Sequence, residues 1–211
     1  MRDVVYNYGY IDNLSAAEII GTPIYLIIII FFSYFHQQKK IKEFPHYKYF
    51  LKGLFLKIFG AFGFCYVYIY VYKGGDTVNY FESARAFSNL FFESNQDFLS
   101  NYFSSSSQEN YNNFSSVTGY PWAYMYFEPK TLFVIKFATP IVLICFNSFI
   151  LSTFLFSVLS YFGIWKAYEV FINYYPNHSK ALFYSFIAVP SVIFWGSGIL
   201  KDTITLSATC W

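Results

Sequence analysis

An unbroken apolar run over residues 17–35, centred on Ile27-Ile28-Ile29-Ile30-Phe31-Phe32, limits what this chain can fold into more than any other feature. Its ~19 residues, taken as a helix, reach across ~30 Å of hydrocarbon. In lipid such a segment satisfies its backbone only as a helix or in a closed barrel. It is too long for a signal-peptide core, it lacks a small-residue cleavage site, and the residues before it (1–15) are polar and aromatic. It therefore reads as a retained span. Composition agrees: 12% of the 211 residues are charged, where a soluble domain carries about 25%. So few charges cannot coat a water-soluble globule. The expected fold class is all-α, a polytopic transmembrane helical bundle of about four spans.

The loop after the first span sets an orientation. Lys39, Lys40, Lys42, Lys48 and Lys52 stand there against Glu43 alone, and short lysine-rich loops stay in the cytoplasm. The N-terminus is then outside. A second span is expected over residues 54–72, with Lys57 snorkelling to the inner headgroups and Tyr66, Tyr68, Tyr70 and Tyr72 forming an interfacial belt at its outer end. Their alternation looks strand-like, but an open strand cannot satisfy its backbone in lipid, so helix is preferred. The first unit is thus a membrane hairpin, residues 1–72.

Residues 73–130 form an external loop, carrying Asp76, Glu82, Glu93, Asp97, Glu109 and Glu128 against Lys73, Arg85 and Lys130. Within it, Tyr80, Ala84, Phe87 and Phe91 recur at helical spacing, which predicts an amphipathic helix lying on the outer membrane face. Gly74 and Gly75 free the backbone to leave the span, and Asp76 is placed as the N-cap of that helix. Residues 131–211 return to the membrane. Residues 131–146, with Lys136 and Pro140, suit an interfacial or re-entrant piece packed on protein. Residues 148–167 suit a third span, and residues 181–200, kinked at Pro190, a fourth. The latter ends outside at Lys201-Asp202, on the face of Asp76.

Two carboxylates and two lysines on one face are a chemical constellation. A carboxylate beside a lysine can serve as general base, and a lysine at the headgroup level can hold a phosphate. Asp76 is the candidate base, with Lys73, Tyr80, Lys201 and Asp202 as candidate substrate-binding residues. A bare helix cap for Asp76 and a polar stop for Lys201-Asp202 are the plainer alternatives. Pro190, Gly196, Ser197 and Gly198 read either as a kink with close helix packing or as a broken helix end that sets Lys201 and Asp202 beside a cavity. Cys65, Cys145 and Cys210 form no CxxC pair and read as small apolar side chains. His36, His46 and His178 lack ligand spacing, so no metal is expected, and no cofactor is implied. The net charge of +2 says nothing of partners, and no basic patch with interleaved aromatics points to nucleic acid.

The pattern Asp76-x-x-x-Tyr80-x-x-x-Ala84 resembles the start of the first large external loop of polytopic glycosyltransferases of the GT-C fold. Pro190…Ser197…Lys201-Asp202 is similar to their Pro-bearing helix followed by an outer-face acid. Gly-Gly-Asp-Thr together with Pro-Ser-x-x-Phe-Trp-x-Ser-Gly-x-x-Lys-Asp also resembles uncharacterised membrane proteins of Bacteroidetes. The first resemblance implies a transferase in the bacterial inner membrane that moves a sugar from a polyprenyl-phosphate donor on the external face, with Asp76 as base. Its partners would be membrane lipid and the polyprenyl-phosphate sugar. The alternative is a non-enzymatic subunit of a secretion, export or polysaccharide assembly complex, with other membrane protein subunits as partners.

Overall fold

The computed structural model describes residues 17–211; the polar stretch 1–15 lies outside the described residues. Those described form helices and no strand. Helix α1 is Thr22–Ile41, entered through a wide π-turn at Ala17–Gly21. Helix α2 is Phe50–Tyr66, preceded by the 3-10 turn Pro45–Tyr49 and extended by the π-turn Val67–Val71. Four helices follow: α3 Asp76–Glu93, α4 Asn95–Phe103, α5 Gln108–Tyr111 and α6 Ala123–Tyr126. Then come α7 Pro129–Ile144, α8 Phe149–Tyr174, α9 Ser179–Phe186, α10 Pro190–Trp195 and α11 Lys201–Thr209.

Three helical segments are long and apolar enough to cross a membrane: Glu18–Ile41, Pro45–Val71 and Phe149–Tyr174. The most apolar stretch is 72% buried in the third, 44% in the second and 11% in the first, so α8 is the axis of the bundle and α1 its outermost helix. Ile27, Phe31 and Phe32 of α1 and Phe59 of α2 lie exposed, the inverted surface of a helix meant for lipid. Helices α2 and α8 run antiparallel. Tyr161 donates to the Phe50 carbonyl at 2.6 Å, the Ser157 hydroxyl lies 3.2 Å from the Lys57 carbonyl, and the Phe62 and Phe154 rings are 4.3 Å apart. Gln37 of α1 accepts from the Leu51 N–H at 3.0 Å, closing the hairpin at its lysine-rich end.

The fourth expected span is not a continuous helix. Residues 181–200 divide into α9, an extended link and α10, followed by a turn of buried Gly196-Ser197-Gly198-Ile199 into α11. Pro190 is the cause. It offers no N–H to a preceding turn, and it disfavours helical backbone at the residue before it; Val189 is extended at φ −72°, ψ 123°.

The amphipathic helix expected after the second span is present as α3, but its stripe meets protein rather than lipid. Tyr80, Ala84 and Phe87 are buried and Phe91 partly so, in one core with Phe114, Tyr126 and the inward face of α7. Helix α7 covers most of residues 131–146, where a piece packed on protein was expected, and it is packed on protein. It buries Leu132, Val134, Ile135, Ala138, Ile141 and Val142, and its principal neighbour is α3. Glu128 caps α7 by accepting from the Thr131 N–H at 2.6 Å, and its hydrogen bonds with Thr131 hold its carboxyl below the usual range.

Candidate functional site

The exit from α2 is a corner built from three residues of positive φ: Lys73 (52°), Gly74 (138°) and Gly75 (117°). The Gly74 N–H turns back to the Tyr68 carbonyl at 3.1 Å. The Gly75 carbonyl then receives the Val78 and Asn79 N–H groups at 3.0 and 3.1 Å. Gly75 is therefore the N-cap of α3, and Asp76 is its first helical residue rather than the cap expected from sequence. The reason is conformational: φ of 117° leaves Gly75 with no steric penalty, so glycine takes the boundary and the aspartate moves one place into the helix. A first-turn carboxylate is favoured by the helix dipole. Gly75→Ala is expected to destabilise this corner by about 1–2 kcal/mol, because the added Cβ also meets the Tyr68 ring at 3.0 Å. A lowered melting temperature and a changed reactivity at Asp76 would register it; an unaltered protein would refute the assignment.

Beside this corner lies a cleft of ≈ 540 Å³ lined by Tyr68, Tyr72, Lys73, Asp76, Asn79, Trp122, Trp195, Leu200 and Asp202. Asp76 and Asp202, from the first turns of α3 and α11, thus share one cavity with Lys73. Two helix N-termini flank it, each carrying the equivalent of about half a positive charge. The Trp122 wall is positioned by its own backbone N–H, which donates to Ser83 Oγ of α3 at 3.0 Å. Asn79 donates to the Tyr124 hydroxyl at 2.9 Å, bracing the same wall. Tyr80 does not line the cleft; it is buried behind it. Burial pushes its phenol up to about 12, helped by the negative charges of Asp76, Glu128 and Asp202, so it stays protonated. Lys201 is exposed and outside the lining.

Asp202 reaches the cleft through the broken segment, and that segment is held by a residue sequence reading misplaced. Lys57 does not snorkel: it is fully buried at 0% exposure. Pro45–Val71 has its midpoint at residue 58, so a lysine sits mid-span. Its ammonium donates to the Val192 carbonyl at 3.1 Å and the Gly196 carbonyl at 2.5 Å. Alongside, Ser197 Oγ donates to the Ile193 carbonyl at 2.5 Å and lies 3.1 Å from Ser157 Oγ of α8. Thr203 of α11 donates to the Trp195 carbonyl at 3.1 Å. The end of α10 leaves several carbonyls without helical partners, and these three side chains supply them in a region where lipid could not. Trp195, Leu200 and Asp202 are fixed at the cleft as a result.

No family model, curated protein or solved structure matches the chain. The cleft rests on its own geometry. Sequence reasoning missed Trp122 and Trp195 as walls and Lys57 as the latch. A lysine well inside an apolar run, paired with a later Pro…Gly-x-Gly interruption of another run, is the signal that could have found it.

Cys65 and Cys145 are buried and Cys210 half-buried, all as free thiols. Among the described residues, no group of His, Cys, Asp and Glu is arranged to hold a metal ion.

Proposed function

We propose that this protein is a membrane glycosyltransferase of GT-C type, which transfers a sugar from a polyprenyl-phosphate donor at the cleft. The observation that carries the reading is the meeting of Asp76 and Asp202, from the first turns of two separate helices, in one cavity with Lys73. The cleft lies where α2 leaves the apolar zone, the depth at which the sugar of a lipid-linked donor emerges from its chain. Trp122 and Trp195 offer apolar ring faces to a sugar, while the carboxylates and Asn79 meet its hydroxyls. In this reading the lysine-rich loop between α1 and α2 is cytoplasmic, the N-terminus and the cleft are outside, and the membrane is a bacterial inner membrane.

The chemistry is an inverting displacement. Asp76 takes the proton of an acceptor hydroxyl as the hydroxyl oxygen bonds to the anomeric carbon. The bond from that carbon to the phosphate oxygen breaks, and the polyprenyl phosphate departs with the bonding pair. Lys73 balances its phosphate charge as a point cation. Asp202 orients the acceptor, and Lys201 stands at the rim where an incoming phosphate would first be met. In proteoliposomes supplied with polyprenyl-phosphate hexoses and a free-sugar acceptor, wild-type protein is expected to release polyprenyl phosphate. Asp76→Asn should slow that release by about 10²–10⁴-fold at unchanged expression and melting temperature. Equal release by the two proteins would remove the base from the proposal, and no release by either would remove the transferase.

A further inference from the structure

A second cavity, of ≈ 760 Å³, lies at the lysine-rich end of the bundle, between the end of α1, the Pro45–Tyr49 turn, α8 and α11. Its lining is graded along α8. Lys166, Glu169 and Asn173 stand at one end, and Phe156, Leu159 and Phe162 extend from it toward the middle of the span. Phe137 of α7 and Ile204 of α11 continue the apolar part. Phe137, Leu159 and Phe162 are each about two-fifths exposed, so the groove opens sideways, where the hydrocarbon of a bilayer would be.

The polar end is cationic. Glu169 is the one acid lining it, and both its oxygens are engaged. It accepts from the Tyr47 hydroxyl at 2.5 Å and from the Lys166 ammonium at 2.9 Å. Lys40, half-buried, sits over the Phe44 ring at 5.4 Å and makes no ion pair among the described residues. His36 and His46 complete the rim. Three polar atoms in the same lining are buried without a hydrogen-bond partner: His46 Nε2, Ser160 Oγ and Trp165 Nε1. Ser160 is 3% exposed and lies about two helical turns deeper than Lys166. Buried polar atoms normally have partners, so a cavity with three orphans in its lining is shaped for an occupant that supplies them.

We propose that this groove binds an anionic glycerophospholipid, its phosphate between Lys40 and His46 and one acyl chain along α8. The cationic end, the Ser160 hydroxyl set within the aromatic wall and the apolar side chains beyond it match the phosphate, ester oxygen and hydrocarbon of such a lipid. Basic pockets between membrane helices hold anionic headgroups in this way. The ester matters to the assignment. Ser160 needs an acceptor below the phosphate, which a glycerol ester provides and an isoprenoid phosphate does not. The site is separate from the Asp76 cleft, so it stands or falls independently of the transferase.

The test is native mass spectrometry of the detergent-purified chain incubated with phosphatidylglycerol, phosphatidylcholine or a polyprenyl phosphate of matched chain length. Phosphatidylglycerol should be retained about tenfold more than phosphatidylcholine, a difference worth about 1.4 kcal/mol. Lys40→Gln, at a half-buried position, should erase that preference, and Ser160→Val should lower retention of both glycerolipids. Asp76→Asn should leave retention as in the wild type. Equal retention of the two glycerolipids would overturn the proposal, as would indifference to both groove variants. Retention of the polyprenyl phosphate without phosphatidylglycerol would overturn the glycerolipid assignment.

Discussion

Lys57→Met is expected to free the segment that carries Trp195 and Asp202, while the three long helices stay in place. Methionine matches the lysine stem in length and apolar character, so no large cavity opens. It offers no donor, and the carbonyls of Val192 and Gly196 lose the partner they share. Each carbonyl left unpaired in a buried site costs about 1–3 kcal/mol. The loss is partly offset, because an ammonium with no acid beside it no longer has to be kept out of water. The net change should lower the melting temperature by about 5–10 °C for a chain of this size. The larger effect is local. Trp195 should become accessible to an aqueous quencher, and ligand binding at the cleft should weaken even though Lys57 does not line it. Lys57→Arg keeps donors and should retain part of both signals. A methionine variant with wild-type melting and wild-type tryptophan quenching would show that Lys57 does not hold the segment.

Gly60→Leu should have an effect of similar size by a different route. A Cβ at position 60 would stand 2.2 Å from the Ile193 carbonyl oxygen, which is backbone and cannot rotate aside. Helices α2 and α10 must then separate. Overpacking of this kind costs about 1–3 kcal/mol, and here it also pulls the Val192 carbonyl away from Lys57. The two substitutions disturb one interface, so their effects should not add. The double variant is expected to melt close to the worse single variant. Strict additivity would mean that the contact and the hydrogen bonds act separately, against the description of the broken segment as one unit.

Sequence punctuation carried well into structure. The Gly74-Gly75-Asp76 corner was legible because glycines at the end of an apolar run announce a backbone turn, and the structure uses both at positive φ. The meeting of Asp76 with Asp202 was legible from the parity of the apolar runs. The alternative in which a broken helix end sets Asp202 beside a cavity was legible from Pro190, Gly196 and Gly198. What stayed hidden was tertiary. Lys57 near one end of an apolar run looks like a snorkelling residue, because its partners are backbone carbonyls more than a hundred positions later, and carbonyls have no residue signature. The stripe of α3 was legible, but not its cover, since α7 was expected at the interface without a stated neighbour. Lys201 was grouped with Asp202 because the two are adjacent in sequence; it is exposed and outside the lining of the cleft.

The position of Asp202 implies an order of assembly. The walls given by Tyr68, Tyr72 and Asp76 belong to the first half of the chain, and α8, which buttresses α2, comes before the broken segment. Synthesis therefore yields a three-helix scaffold with an unfinished cavity and a lysine facing an empty slot in its middle. Residues 190–202 bring the carbonyls that accept from Lys57 and the Trp195, Leu200 and Asp202 side of the cavity. Until then the carboxylate pair does not exist, and any activity that needs both acids is withheld from incompletely inserted chains.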